Sequence, residues 1–478
     1  MLEDDILLGI FSCCQLGSKK DWSDQLRWCK LSHVCRRWRH LIHSSSSHLG
    51  THIICTNGTP IVDTLDHLRS LPLFIDYYIR ESRVIRRNKI RLDHEEDQLG
   101  IYHALQLRDR VRHINLRVSH STLDKSLRLM DKPFSILEHL SLSFTGGDMT
   151  SLTLSKTFLA PNLRHLSLIG IRLPKRLRLL SSTLSLVALS LTNMQASAYI
   201  RPRLLAARIE SLPQLEELSI EFSIPIPRPS TERLLLGKQG TPVMLANLKS
   251  FTFRGVSAYL ERLISQIRAP VLRKLEVILF NQLAFTLTHL SQFVNVPEQI
   301  KFHRTATISL CPGTSIIMNN LDATRRPAYP ANPGFTLHVM CKPLDWQIDC
   351  AAQICGALMS ALSGTENLII KRRIESMAAK NFKIDDTIDS TTWHELLRLF
   401  VSVKELHIDH LFSVELSRAL EVDEIGLDPG LLPDLQELVS DYRGENADSL
   451  FGSFIHARQV AGRPVSLRLT VPPLPPSP

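Results

Sequence analysis

The feature that most constrains this chain is a short frame, L-x-x-L-x-L, that keeps returning along it. It stands as VRHINL (Val111, Ile114, Leu116), LEHLSL (Leu137, Leu140, Leu142), LRHLSL (Leu163, Leu166, Leu168) and LVALSL (Leu186, Leu189, Leu191). LEELSI (Leu215, Leu218, Ile220), LKSFTF (Leu248, Phe251, Phe253) and LRKLEV (Leu272, Leu275, Val277) follow at quasi-regular intervals, some of them long and loose. One such frame fits an amphipathic helix, but seven at this spacing mark a leucine-rich repeat. Each frame is a short strand whose alternate side chains enter a core, and the rest of the period must carry the chain back. RLRLLSSTL, RPRLLAARIE and AYLERLISQI have the apolar spacing of return helices.

The frame thins and then resumes. VKELHI (Val403, Leu406, Ile408), LQELVS (Leu435, Leu438) and SLRLTV (Leu467, Leu469) continue the array. THIICT (51–56) and LPLFIDYY (71–78), flanking a helical candidate PIVDTLDHL, read as its first, atypical repeats. Residues 281–400 are irregular: TATISL and FTLHVM are strand-like, AAQICGALMSAL and TTWHELLRLF helix-like, and TRRPAYPANPG a loop. The expected fold is α/β. A small helical head (1–48) precedes an irregular solenoid (51–470) with short parallel strands on its concave side and helices on its convex side. A proline-rich tail, VPPLPPSP (471–478), ends the chain.

Composition narrows the class. Of 478 residues, 44% are hydrophobic and 22% charged, and the formal net charge is +9. This is ordinary globular material, and the mild positive excess suits acidic partners, nucleic acid or neither. No run of about 18 uncharged apolar residues is present to span a membrane. The nine cysteines and the acidic opening MLEDDILL favour a reduced intracellular protein, in cytoplasm or nucleus.

The head carries two amphipathic segments. DDILLGIF places Leu2, Ile6, Leu7, Ile10 and Phe11 on one face of a helix, with Asp4 and Asp5 at its positive N-terminal end. LSHVCRRWRHLI places Leu31, Val34, Cys35, Trp38, Leu41 and Ile42 on one stripe of a second helix about three turns long, ended by Ser44–Ser47. A domain of this size buries little alone and requires a partner or an attached domain.

These two segments resemble the ends of an F-box. Leu2, Asp5, Ile6, Leu7, Ile10 and Phe11 match its start; Val34, Cys35, Arg36, Trp38, Arg39 and Leu41 match its end. Glu3 stands where the family has proline, and the interval between the ends is long and polar. The downstream run, CTNGTPIVDTLDHLRSLPLFIDYY and ALQLRDRVRHINL with the later repeats, is similar to mushroom-type fungal F-box proteins. The resemblance implies a substrate-receptor subunit of an SCF-type ubiquitin ligase. In that family the F-box docks on the small adaptor that links it to cullin, while the repeats hold a protein substrate. It nominates Leu2, Ile6, Leu7, Ile10, Phe11, Val34, Cys35, Trp38 and Leu41 as adaptor-binding, with Trp38 central. The substrate-binding residues stay unassigned.

Other chemistry finds less support. Cys29, His33 and Cys35 have partial zinc spacing, but Cys35 falls round the helix from His33, so no metal is expected. The basic run RESRVIRRNKIRLDH lacks interleaved aromatics and is followed by acidic residues, which argues against nucleic acid as a partner. Cys350 and Cys355 read as small core residues, Trp393-His394-Glu395 as part of an ordinary helix, and TGGD (145–148) as a turn. Nucleotide-binding and hydrolase motifs are missing, so neither a catalytic residue nor a cofactor is expected. The alternatives to a ligase receptor are a repeat scaffold whose head serves only as an N-terminal cap and, with less support, a basic solenoid that grips nucleic acid.

Overall fold

The computed structural model describes residues 3–15, 31–45, 52–58, 71–78, 95–145, 152–174, 178–225, 241–282, 284–297, 304–310, 314–319, 334–341, 344–372, 390–421, 431–442 and 449–470. Leu2, Cys29, PIVDTLDHL, the basic run at 80–94, most of TRRPAYPANPG and the proline-rich tail lie outside them. The chain folds as two compact units, Met1–Ala198 and Tyr199–Pro478.

In the first unit the head forms helices α1 (Asp4–Gln15) and α2 (Arg36–Ser44). Here the structure corrects the sequence reading. The stripe from Leu31 to Ile42 is not one helix, because the chain turns at His33 and Val34 and restarts at Arg36. Cys35 is extended (φ −156°, ψ 168°), and its sulfur accepts the Trp38 amide at 3.4 Å. It therefore fills the N-cap place that serine or aspartate usually takes, and it is exposed rather than packed inward. Asp4 at the start of α1 pairs with Arg37, whose Nε donates to Oδ1 at 3.0 Å.

Beyond the head come β1 (Ile53–Cys55), β2 (Leu73–Tyr78), α3 (Glu95–Gln106), β3 (Val111–Ser119), α4 (His120–Leu129), β4 (His139–Thr145), β5 (His165–Ile169), α5 (Arg178–Ser182) and β6 (Ala188–Met194). The six strands lie side by side in chain order, each parallel to the next. The frame explains the register. Val111, Ile114 and Leu116 are buried, as are Leu137, Leu140 and Leu142, and Leu163, Leu166 and Leu168. In some repeats a polar residue before the first leucine ties the repeat to the one before. Asn162 Nδ2 donates to the Ser135 carbonyl at 2.7 Å, and Ser185 Oγ to that of Leu163 at 3.2 Å. Such bonds satisfy carbonyls that the short strands leave unpaired.

The second unit contains α6 (Pro202–Ile209), β7 (Glu217–Phe222), β8 (Val243–Met244), β9 (Ser250–Gly255), α7 (Ser257–Ile264), β10 (Ile267–Arg268), β11 (Lys274–Phe280) and α8 (Thr288–Asn295). Then come β12 (Thr305–Leu310), β13 (Thr314–Asn319), β14 (Phe335–Met340), α9 (Leu344–Ala357), α10 (Met359–Leu362), β15 (Asn367–Arg372), α11 (Ser390–Leu397), β16 (Glu405–Ile408), α12 (Ser413–Ala419), β17 (Glu437–Ser440), α13 (Gly452–Val460) and β18 (Ser466–Leu469). The strand order is β7-β9-β11-β14-β13-β12-β15-β16-β17-β18, and β8 and β10 form a separate parallel pair.

The expectation of parallel strands throughout fails at β13, which is antiparallel to both neighbours. The reason is length. Residues 311–313 alone join β12 to β13, whereas a parallel crossover needs about a dozen residues or more. The outward side chains of β12 are buried as well: Thr305, Thr307 and Ser309 are as enclosed as Ala306, Ile308 and Leu310.

Two charged side chains in this unit are structural. The buried carboxylate of Glu261 on α7 accepts the amides of His289 and Leu290, each at 2.8 Å, and so caps the start of α8 from outside it. The buried Arg458 guanidinium on α13 donates to the carbonyls of Leu432, Pro433 and Leu435 at 3.0–3.2 Å, fixing the turn that enters β17. Cys355 is packed inside, and burial pushes its thiol up to about 12. Trp393 is core, against Phe412.

Candidate functional site

The head presents two kinds of apolar residue. Leu7 and Phe11 on α1 are buried, as are Leu41 and Ile42 on α2. Trp38 is half-buried, and its ring meets the Phe11 ring edge-on, with centroids 4.9 Å apart and planes at 67°. Ile6 and Ile10, one helical turn apart on α1, are 49% and 44% exposed, and Val34 at the turn before α2 is 60% exposed. The nominated residues thus divide. Leu7, Phe11 and Leu41 hold the helices, Cys35 caps α2, Trp38 stands between the two roles, and Ile6, Ile10 and Val34 face solvent. Burying a large aliphatic side chain stabilises by about 1.5–3 kcal/mol, so this exposed group is the part of the head with most to gain from a partner.

The second surface is the outer face of the first unit's sheet. Phe74, His113, His139 and His165 share one register row on β2 to β5. The next row outward holds Asp76, Asn115, Ser141, Ser167 and Ser190. The rings stack along the first row, with His52 against Phe74 at 3.8 Å and Phe74 against His113 at 5.2 Å. His113 meets His139 at 4.3 Å, and His139 meets His165 at 5.6 Å. Burial, and then the neighbouring imidazoles His139, His52 and His165, lower the His113 pKa to about 4. Burial followed by His165 lowers that of His139.

The row has a signal in the sequence that the leucine pattern hides. VRH, LEH and LRH place a histidine at the third position of three consecutive frames. The leucines dominate the pattern, and only side-by-side strands turn that spacing into contact.

Among the described residues no group of three histidine, cysteine or acidic side chains is placed to hold a metal ion. Likewise, no helix among them is long and apolar enough to cross a membrane.

No family model matches the chain, and no curated protein matches it. Among solved structures it is similar to that of a TLR13–ssRNA13 complex, with 13% identity over 88% of this chain and 49% of the other, at a TM-score of 0.30. It is also similar to the leucine-rich repeat-containing protein LegL7 from Legionella pneumophila, with 12% identity over 87% of this chain and 99% of the other, at 0.27. The chain therefore spans about half the length of the first of these. The leucine-rich-repeat-like character rests on this chain's own strand registers.

Proposed function

We propose that the chain is a substrate-receptor subunit of an SCF-type ubiquitin ligase, docking the cullin adaptor through its head and holding a protein substrate with its repeats. The observation that carries this reading is the division of α1 into a buried side, Leu7 and Phe11, and an exposed apolar side, Ile6 and Ile10. A helix that served only as a cap would be expected to turn its apolar residues inward. In this reading the chain contributes no side-chain chemistry. It raises the local concentration of a bound protein near an enzyme elsewhere in the ligase.

The test is capture of the full chain by purified SCF adaptor. Replacing both exposed isoleucines, Ile6→Asp with Ile10→Asp, is expected to weaken binding by about 2 kcal/mol or more, the cost of losing an interface anchor. Trp38→Ala weakens it too, in part by loosening the contact with Phe11. Adaptor capture unchanged by the double substitution, in a chain with the parent circular dichroism, removes this face from the interface. If the parent chain captures no adaptor, the repeats stand as an interaction scaffold outside the ligase, the reading that Glu3 in the proline place favours.

A further inference from the structure

The rings of His52, Phe74, His113, His139 and His165 stack on one another from the start of β1 to β5, and that fixes what they can offer. Their planes lie 8° to 36° apart from ring to ring, so the faces of the inner rings Phe74, His113 and His139 are spent on their neighbours. What remains is a row of imidazole edges at the strand spacing of about 4.8 Å, each with ring nitrogens that donate when protonated. A base would need an open ring face to stack on; an anion needs only the edge.

The surroundings decide which anion. On β2 the nearby ionisable groups are Asp76 and Tyr78; on β3, Arg112 and Arg117; on β4, Glu138; on β5, Arg164. β6 offers Ala188 and Ser190. Both carboxylates are engaged already: Asp76 accepts from Asn115 Nδ2 at 2.9 Å, and Glu138 pairs with Arg112 at 2.9 Å. Any charge gained by the imidazoles therefore lies among the cations Arg112, Arg117 and Arg164 and the carboxylates Asp76 and Glu138, a balance that stays positive. Stacked imidazoles also hold one another neutral by like-charge repulsion, and an anion laid along their edges reverses that balance. Alongside, Asn115, Ser141, Ser167 and Ser190 form a strip of small hydrogen-bonding side chains, low enough for a polypeptide backbone to approach.

We propose that this row is a docking site for an acidic protein segment carrying two or more carboxylates, which binds with uptake of protons. The proposal rests on the repeats being the partner-holding part of the chain, and it is independent of how the head docks. The segment binds weakly at neutral pH and more tightly in mild acid.

The experiment is a titration of the full chain with a fluorescein-labelled peptide of six Glu-Gly repeats, at constant ionic strength, between pH 7.5 and pH 5.5. Affinity is expected to rise by up to about tenfold per pH unit for each proton taken up. Calorimetry in two buffers of different ionisation heat should show net proton uptake. Combined His113→Gln, His139→Gln and His165→Gln should remove most of the pH dependence, leaving what His52 supplies. His165→Gln alone, at the exposed end of the row, should remove part of it and serves if the triple variant does not fold. No binding at pH 5.5, a pH-independent affinity, or equal binding of a thymidine oligonucleotide of the same length overturns the proposal. Parent-like pH dependence in the folded triple variant does so too. Adaptor capture is a separate readout, so loss of the ligase reading leaves this titration standing.

Discussion

Strands β3, β4 and β5 of the first unit and strands β12, β13 and β14 of the second are each three neighbours in a sheet, yet they follow different rules. The first three are joined by long returns, run parallel, bury one side and leave the other to histidines and serines. In the second three, only residues 311–313 separate β12 from the antiparallel β13, and β12 is buried on both sides. Both sets are rich in β-branched or aliphatic residues, so strand propensity does not separate them. Connection length does. A repeat keeps an open face only while each period is long enough to return its strand in the same direction.

The comparison is most directly strained from the inside. Leu140→Ala on β4 and Ile308→Ala on β12 each remove a buried aliphatic side chain, and each is expected to cost about 3 kcal/mol, read from urea midpoints. A cost under about 1 kcal/mol at Ile308 would mean that the reversed stretch is not packed like the regular one. The outer positions should then diverge. Thr307→Asp puts a carboxylate into a buried site and should cost about 2 kcal/mol or more, whereas Ser141→Asp on the open face should stay within about 0.5 kcal/mol. Equal costs would erase the distinction between the two faces.

A smaller effect concerns pH. His113 has its pKa lowered to about 4 in the fold, against about 6.5 in an unfolded chain. Between those values the unfolded chain binds more protons, so the contribution of this site is complete above about pH 6.5 and declines as pH falls toward 4. His113→Phe, which keeps the ring against Phe74, should flatten the fall in stability between pH 7 and pH 5. An identical slope in parent and variant would show that the acid sensitivity arises elsewhere.

The frames made the regular strands legible because leucine at fixed intervals reports a buried side directly. Ile6 and Ile10 were legible as apolar but not as exposed, since a wheel shows which residues share a face and not what covers it. The break at Val34 was hidden for a different reason. Cysteine is an uncommon N-cap, so the spacing from Leu31 to Ile42 continued to look helical through a turn. The reversal at β13 was hidden because TSIIMN carries no frame, and the three residues before it gain meaning only once both flanks are known to be strands.

That reversal also bears on the order in which the chain can assemble. In the regular stretch Ile114 finds its partner Leu140 in the very next period, so each strand can add to an edge already laid down. At the reversal Leu275 pairs with Phe335, and Thr305 with Asn367, each more than twice as far along the chain. β11 has no following neighbour until β14 has been made, and β12 lacks its outer neighbour until β15 has. Loop-closure entropy is then spent before the pairing that offsets it, which slows folding as contact order rises. The stretch from β11 to β15 closes as a block, and during synthesis it is the part of the second unit whose strand edges wait longest for their partners.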